Sequence, residues 1–91
     1  MIYGTPLWEK FSKDVDAIRH ETKIKAELLK LIEAIRAADS LTNLKGVRKI
    51  EGYQAYFRIK VADYRLGIKL TQNRVELIRF LHPKDIYRRF P

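Results

Sequence analysis

Ninety-one residues carry 19 Lys+Arg against 11 Asp+Glu, a formal net charge of +8, with 46% hydrophobic residues and no cysteine. A chain this short buries only about 60% of the surface it exposes when unfolded, which calls for one domain over residues 1–91 and excludes large two-domain enzymes. Without cysteine there is no disulfide framework and no thiolate metal cluster, so packing alone holds the fold together in a reducing, cytoplasmic setting.

Thr5-Pro6 reads as an N-cap followed by proline at the first helical position, and Trp8, Phe11, Val15 and Ile18 recur at helical spacing. A helix is expected from about Pro6 to Arg19. Thr22 then caps a second helix, about Lys23 to Ala38, with Ile24, Leu28, Leu31, Ile32 and Ile35 as its apolar stripe. The short link His20-Glu21-Thr22 makes the two an antiparallel hairpin that needs a surface to cover.

That surface lies in the second half. After a polar, glycine-bearing connection (Ser40 to Gly46), Tyr53 to Val61 alternates, with Phe57, Ile59 and Val61 on one side and Tyr56, Arg58 and Lys60 on the other. Ala62-Asp63 is a tight turn into Tyr64 to Leu70, where Tyr64, Leu66, Ile68 and Leu70 oppose Arg65, Gly67 and Lys69. Gln72-Asn73-Arg74 turns again into Val75 to Leu81, which is apolar on both faces and so belongs in an interior or covered position. Proline bars the strand from passing Pro83. The closing segment His82 to Pro91 folds back as a turn or short helix, anchored by Ile86 and Phe90 at the sheet edge. The class is α+β: a helical hairpin on a three-strand antiparallel meander, with a fourth short N-terminal strand left open.

The charge is unevenly placed. Residues 1–44 carry 7 basic and 7 acidic side chains and residues 45–91 carry 12 and 4, so the whole excess lies in the sheet half. Clustered cations focus a positive potential and capture polyanions, nucleic acid or an acidic protein. Strand alternation gathers Arg58, Lys60, Arg65 and Lys69 on the face the helices leave free, where arginine offers a planar fork to phosphate oxygens and lysine a point charge. Tyr87, close to Lys84 and Arg88, is a candidate proton-transfer group if neighbouring cations lower its pKa, and His82 is a second candidate acid or base, histidine being the side-chain type suited to that work. Each has a plainer reading, the tyrosine as a packing anchor and the histidine as a structural group. Asp63 reads as a turn residue able to pair with Arg65 or Arg58.

Other chemistries are poorly served. The acids of the second half are scattered and the two histidines distant, so neither a metal nor another cofactor is expected. There is no glycine-rich phosphate loop and no nucleophile elbow. Metal-free RNA cleavage suits a set of Arg, Lys, Tyr and His, because the substrate's own 2'-hydroxyl is the nucleophile. No apolar run reaches the roughly 18 residues of a membrane span, and Met1 to Pro6 lacks a leader pattern, so no membrane association or processing is expected.

The order of elements and three local strings resemble the RelE/ParE superfamily of bacterial toxin-antitoxin toxins. Residues 43–47 (NLKGV) resemble the family's LKG element, residues 56–66 (YFRIKVADYRL) its YRIRVGDYRL hairpin, and HPKDIYRRFP the HRKDIYR.FP ending of one branch. The resemblance implies a ribosome-dependent mRNA endonuclease that inhibits translation. Its partners would be the ribosome, mRNA and a cognate acidic or amphipathic antitoxin, with operator DNA contacted only through that antitoxin. It places Arg58, Lys60 and Arg65 on the scissile phosphate and Tyr87 at proton transfer or base stacking. It also marks Pro83 as a departure, because the family carries arginine directly after the histidine. Losing one charge-assisted contact to a transition-state phosphate costs on the order of 3 kcal/mol, about 100-fold in rate. Three readings of Pro83 follow: a detoxifying substitution, a natural inactive relative, or a variant in which His82 or Lys84 fills the gap. Two other functions remain open on the same fold, a ParE-like gyrase inhibitor and a catalytically inactive antitoxin-binding co-repressor.

Overall fold

A computed structural model describes residues 2–3, 8–38, 44–72 and 74–91. The elements run β1 (Ile2–Tyr3), α1 (Trp8–Ala17), α2 (Thr22–Ala37), β2 (Val47–Lys49), β3 (Tyr56–Val61), β4 (Tyr64–Thr71), β5 (Arg74–Leu81) and α3 (Pro83–Arg89). All five strands form one sheet in the order β1-β5-β4-β3-β2. The expected meander is β3-β4-β5, antiparallel throughout, and β1 adds to it in parallel beside β5. The doubly apolar β5 therefore lies inside the sheet, as its composition requires.

Three features differ from the sequence reading. β2 was not expected, because three residues with two adjacent cations show no alternation to read. The strand foreseen from Tyr53 starts at Tyr56, since Gly52 at φ +85° and the bond from the Tyr53 amide to the Ile50 carbonyl (3.2 Å) hold residues 50–53 in a turn. Thr22 is the first residue of α2 and not its cap: Glu21 takes the non-helical cap position without a side-chain bond, and its carbonyl accepts from the Lys25 amide at 2.9 Å. The proposed cap Thr5-Pro6 lies outside the described residues, as does Asn73 of the last turn.

One face of the sheet carries the helical hairpin. Phe11, Ile18, Leu28 and Ile35 meet Ile59, Val61, Leu66, Ile68, Val75, Leu77 and Phe80 in one buried cluster, α1 packing over β5 and α2 over β3. Burying side chains of this kind contributes roughly 1.5–3 kcal/mol each, which sets the register of every strand by the side that faces the helices. An irregularity at Gly67/Ile68 lets Ile78 join the opposite face, since Gly67 pairs with Arg79 and Ile68 with Leu77.

Asp14 locks α1 to β5. Its carboxylate accepts from Arg79 Nε (2.7 Å) and Nη2 (3.0 Å) and from the Phe80 amide (2.9 Å). The two side chains are only 10% and 14% exposed, so each charge is answered where water answers it poorly.

The second face is covered only in part. α3 lays Ile86 and Phe90 on Ile78 and Leu81, with Ile50 and Tyr56 at the margin. The tail thus crosses the sheet face, whereas the sequence placed it on the edge. Gly67 is the reason: a β-carbon there would stand 2.9 Å from three carbons of the Phe90 ring, so only glycine leaves the ring its seat in the middle strand. Among the described residues no helix is long and apolar enough to cross a membrane.

Candidate functional site

Beside α3 the same face remains polar. Alternation along β3 turns Arg58 and Lys60 away from the helical hairpin, and β4 adds Arg65. The register then sets cation against cation: Lys60 is opposite Arg65, and Arg48 of β2 is opposite Arg58. Like charges directly across a ladder are destabilising. No carboxylate relieves them; among the described residues the ion pairs are Arg19–Asp16, Arg36–Glu33 and Arg79–Asp14. Asp63 is exposed in its turn, so its expected pairing with Arg65 or Arg58 does not form.

These four cations line a recess of about 380 Å³ with Gly46 and Tyr87. Gly46, at φ +76°, bends the chain into β2 against Lys60 and gives the LKG element its physical sense. Arg65 Nη1 donates to the Tyr64 carbonyl at 2.9 Å, which holds that guanidinium close to the strand.

Tyr87 arrives from α3. Ile86 and Phe90 are 1% and 6% exposed, so the helix is seated by these two, while Tyr87 between them is 62% exposed. The Arg58 guanidinium carbon stands 4.8 Å from the centre of its ring, a cation-π stack that places the phenol at the recess. Arg88 and Arg89 in the last turn suit the helix dipole, as Asp85 does in the first.

Of the residues singled out in the sequence, Arg58, Lys60, Arg65 and Tyr87 therefore converge. Lys69 does not join them; its Nζ lies 5.5 Å from the centre of the Tyr56 ring. His82 caps α3, its Nδ1 accepting from the Lys84 amide at 3.5 Å, and its ring meets Tyr64 edge-on at 5.9 Å. It lines a separate recess of about 190 Å³ with Asp14 and Asp85. Lys84 is exposed, and Pro83 holds the first helical position, one turn before Tyr87 and hence on the same helix side. Arg48 was missed because it belongs to the unforeseen β2; its adjacency to the LKG element was the available signal.

The family model describing the ParE toxin of the type II toxin-antitoxin system parDE matches residues 7–87. The chain is 37% identical over 82 residues to Toxin RelE3 of Methanocaldococcus jannaschii, covering 89% of this chain and 91% of that one. Among solved structures, the RelB-RelE antitoxin-toxin complex from Methanococcus jannaschii superposes with a TM-score of 0.76 at 34% identity, covering 97% of this chain and 98% of that one. The E. coli DinJ-YafQ complex shares the fold, with a TM-score of 0.71 at 21% identity over 100% of this chain and 98% of that one. A fold of two helices on an antiparallel sheet with a C-terminal helix, the three local strings and these matches agree: the chain belongs to the RelE/ParE family of type II toxin-antitoxin toxins.

Proposed function

We propose that this toxin is an endoribonuclease that cuts messenger RNA on the ribosome in the cytoplasm, as a single domain and without a metal. The observation that carries the reading is the recess of four cations, two opposed pairs that form no ion pair with a carboxylate among the described residues, gathered around a tyrosine. A surface that keeps such a repulsion holds a ready site for a phosphodiester.

In that site the substrate 2'-hydroxyl attacks the adjacent phosphorus and the bond to the 5'-oxygen breaks, leaving a 2',3'-cyclic phosphate and a 5'-hydroxyl. Arg58, Lys60 and Arg65 stabilise the charge that grows on the phosphorane oxygens, the role in which preorganised donors contribute most. Tyr87, polar without being cationic and alone in that among the described lining residues, relays the proton of the 2'-hydroxyl to water. The departing 5'-oxygen takes its proton from water, because Pro83 has none to give. The rate is accordingly held about 100-fold below that of a chain with arginine at 83.

The structural relatives include toxins bound to antitoxins. An antitoxin segment, acidic or amphipathic and folding as it binds, silences this chain by covering the cations. Induction in cells tests the reading against inhibition of gyrase: new mRNA 5' ends with intact DNA support it, whereas DNA breaks and filamentation with intact mRNA overturn it.

A further inference from the structure

A second recess, of about 500 Å³, adjoins the cationic one and shares Arg58 and Tyr87 with it. Its size falls within the range of about 300–1,000 Å³ typical of small-ligand pockets. Three large apolar side chains are conspicuously exposed among the described residues, and two of them, Tyr53 (51%) and Tyr87 (62%), line this recess. Tyr53 is held in place. Its amide bonds the Ile50 carbonyl, Ile50 in turn donates to the Tyr56 carbonyl at 2.9 Å, and its ring meets Tyr56 edge-on at 5.9 Å. Tyr56 packs edge-on against the buried Phe90 at 5.6 Å. Exposed aromatic faces backed by cations, here Lys49, Arg58 and Arg88, are a stacking platform for single-stranded nucleic acid.

Glu51 also lines the recess and forms no ion pair among the described residues. A carboxylate repels phosphate, so its presence beside three cations is out of keeping with a plain phosphate groove. It is in keeping with reading a base, since a carboxylate accepts from the exocyclic amino group of adenine, cytosine or guanine. Uracil has no such group, and its one ring N–H is flanked by carbonyl oxygens that repel the acid.

We infer that this recess is a nucleobase subsite. It takes the base next to the phosphate bound by Arg58, Lys60 and Arg65, stacks it on Tyr53 and Tyr87, and selects amino-bearing bases over uracil through Glu51. The subsite rests on the RNA reading above and gives it a sequence preference.

Fluorescein-labelled 2'-O-methyl trinucleotides, whose blocked hydroxyl prevents cutting, are titrated with the full chain at low salt and read by anisotropy. AAA and CCC should bind about tenfold more tightly than UUU. Glu51→Gln, whose amide can donate to uracil carbonyls, should bring UUU within about twofold of the others. Tyr53→Ala should weaken all three by about fivefold or more, and Tyr53→Phe should restore them. A base preference that survives Glu51→Gln, or binding that Tyr53→Ala leaves alone, overturns the subsite. If Arg65→Ala still abolishes that binding, the phosphate site stands without it. If no trinucleotide binds, the subsite fails while the RNA reading is judged by mRNA 5' ends on the ribosome; if Arg65→Ala changes nothing, the phosphate site fails with the subsite.

Discussion

Replacing Lys60 by glutamine removes one member of the cation pair that faces Arg65 across β3 and β4, and it should make the protein more stable and less active at once. Directly opposed residues have β-carbons about 4.5–5.5 Å apart, which puts the charged ends of the two side chains roughly 7 Å from one another. Lys60 is exposed, so the dielectric constant of water applies and the bare repulsion is about 0.6 kcal/mol. Screening at physiological salt removes about half of it, and Arg58 and Arg48 add smaller repulsions of the same sign. The sum is about 0.5 kcal/mol, equivalent to a rise in Tm of roughly 2–4 °C for a domain of this size. In 0.01 M salt the rise should grow to about twice that. Removing a charge-assisted donor from the transition-state phosphate should lower cutting about 100-fold, measured in a Pro83→Arg background to give a usable signal. Thermal unfolding at the two salt concentrations and a timed cleavage assay decide it. A lower Tm, or unchanged cutting, would show that the cations serve the fold and not the substrate.

Three further substitutions probe the framework. Gly67→Ala should cost about 1–3 kcal/mol by pushing Phe90 off its seat, and the cost should fall sharply in a Phe90→Ala background; equal cost in both backgrounds refutes the contact. Asp14→Ala, which leaves Arg79 without its partner, should lower urea stability by about 3–5 kcal/mol, and a loss under 1 kcal/mol contradicts the lock between α1 and β5. Ala62 sits at φ +52° in the β3–β4 turn, where the resembling family strings carry glycine, so Ala62→Gly should raise stability by about 1 kcal/mol and Tm by roughly 4–8 °C, with no gain if the turn is unstrained.

The helical hairpin, β3 and β4 were legible because each buries one side, so that Ile24, Leu28 and Ile35 in α2 and Phe57, Ile59 and Val61 in β3 mark their own periods, and β5 because it is apolar on both. The basic face followed from the same alternation without any knowledge of tertiary structure. β2 was hidden because its pairing with β3 comes from the hairpin turn at residues 50–53, and Val47 alone of its three residues is half-buried, against the core. The second recess was hidden for the same reason, since Tyr53 looked like the start of a strand. Asp14 was legible in principle: it falls on the apolar side of α1 between Phe11 and Ile18, where an acid needs a buried partner. Arg79 could be named as that partner only once α1 was seen to pack over β5.

The recess of Arg58, Lys60, Arg65 and Tyr87 should cut message on the ribosome and be slowed by Pro83. The most direct measurement maps mRNA 5' ends in cell-free translation dosed with the chain, with its Pro83→Arg form, and with Pro83→Arg carrying Arg58→Ala. New ends should appear weakly with the first, about 100-fold faster with the second, and should fall away again with the third. Equal rates for the first two would remove position 83 from the mechanism, and no new ends from any of them would contradict the account.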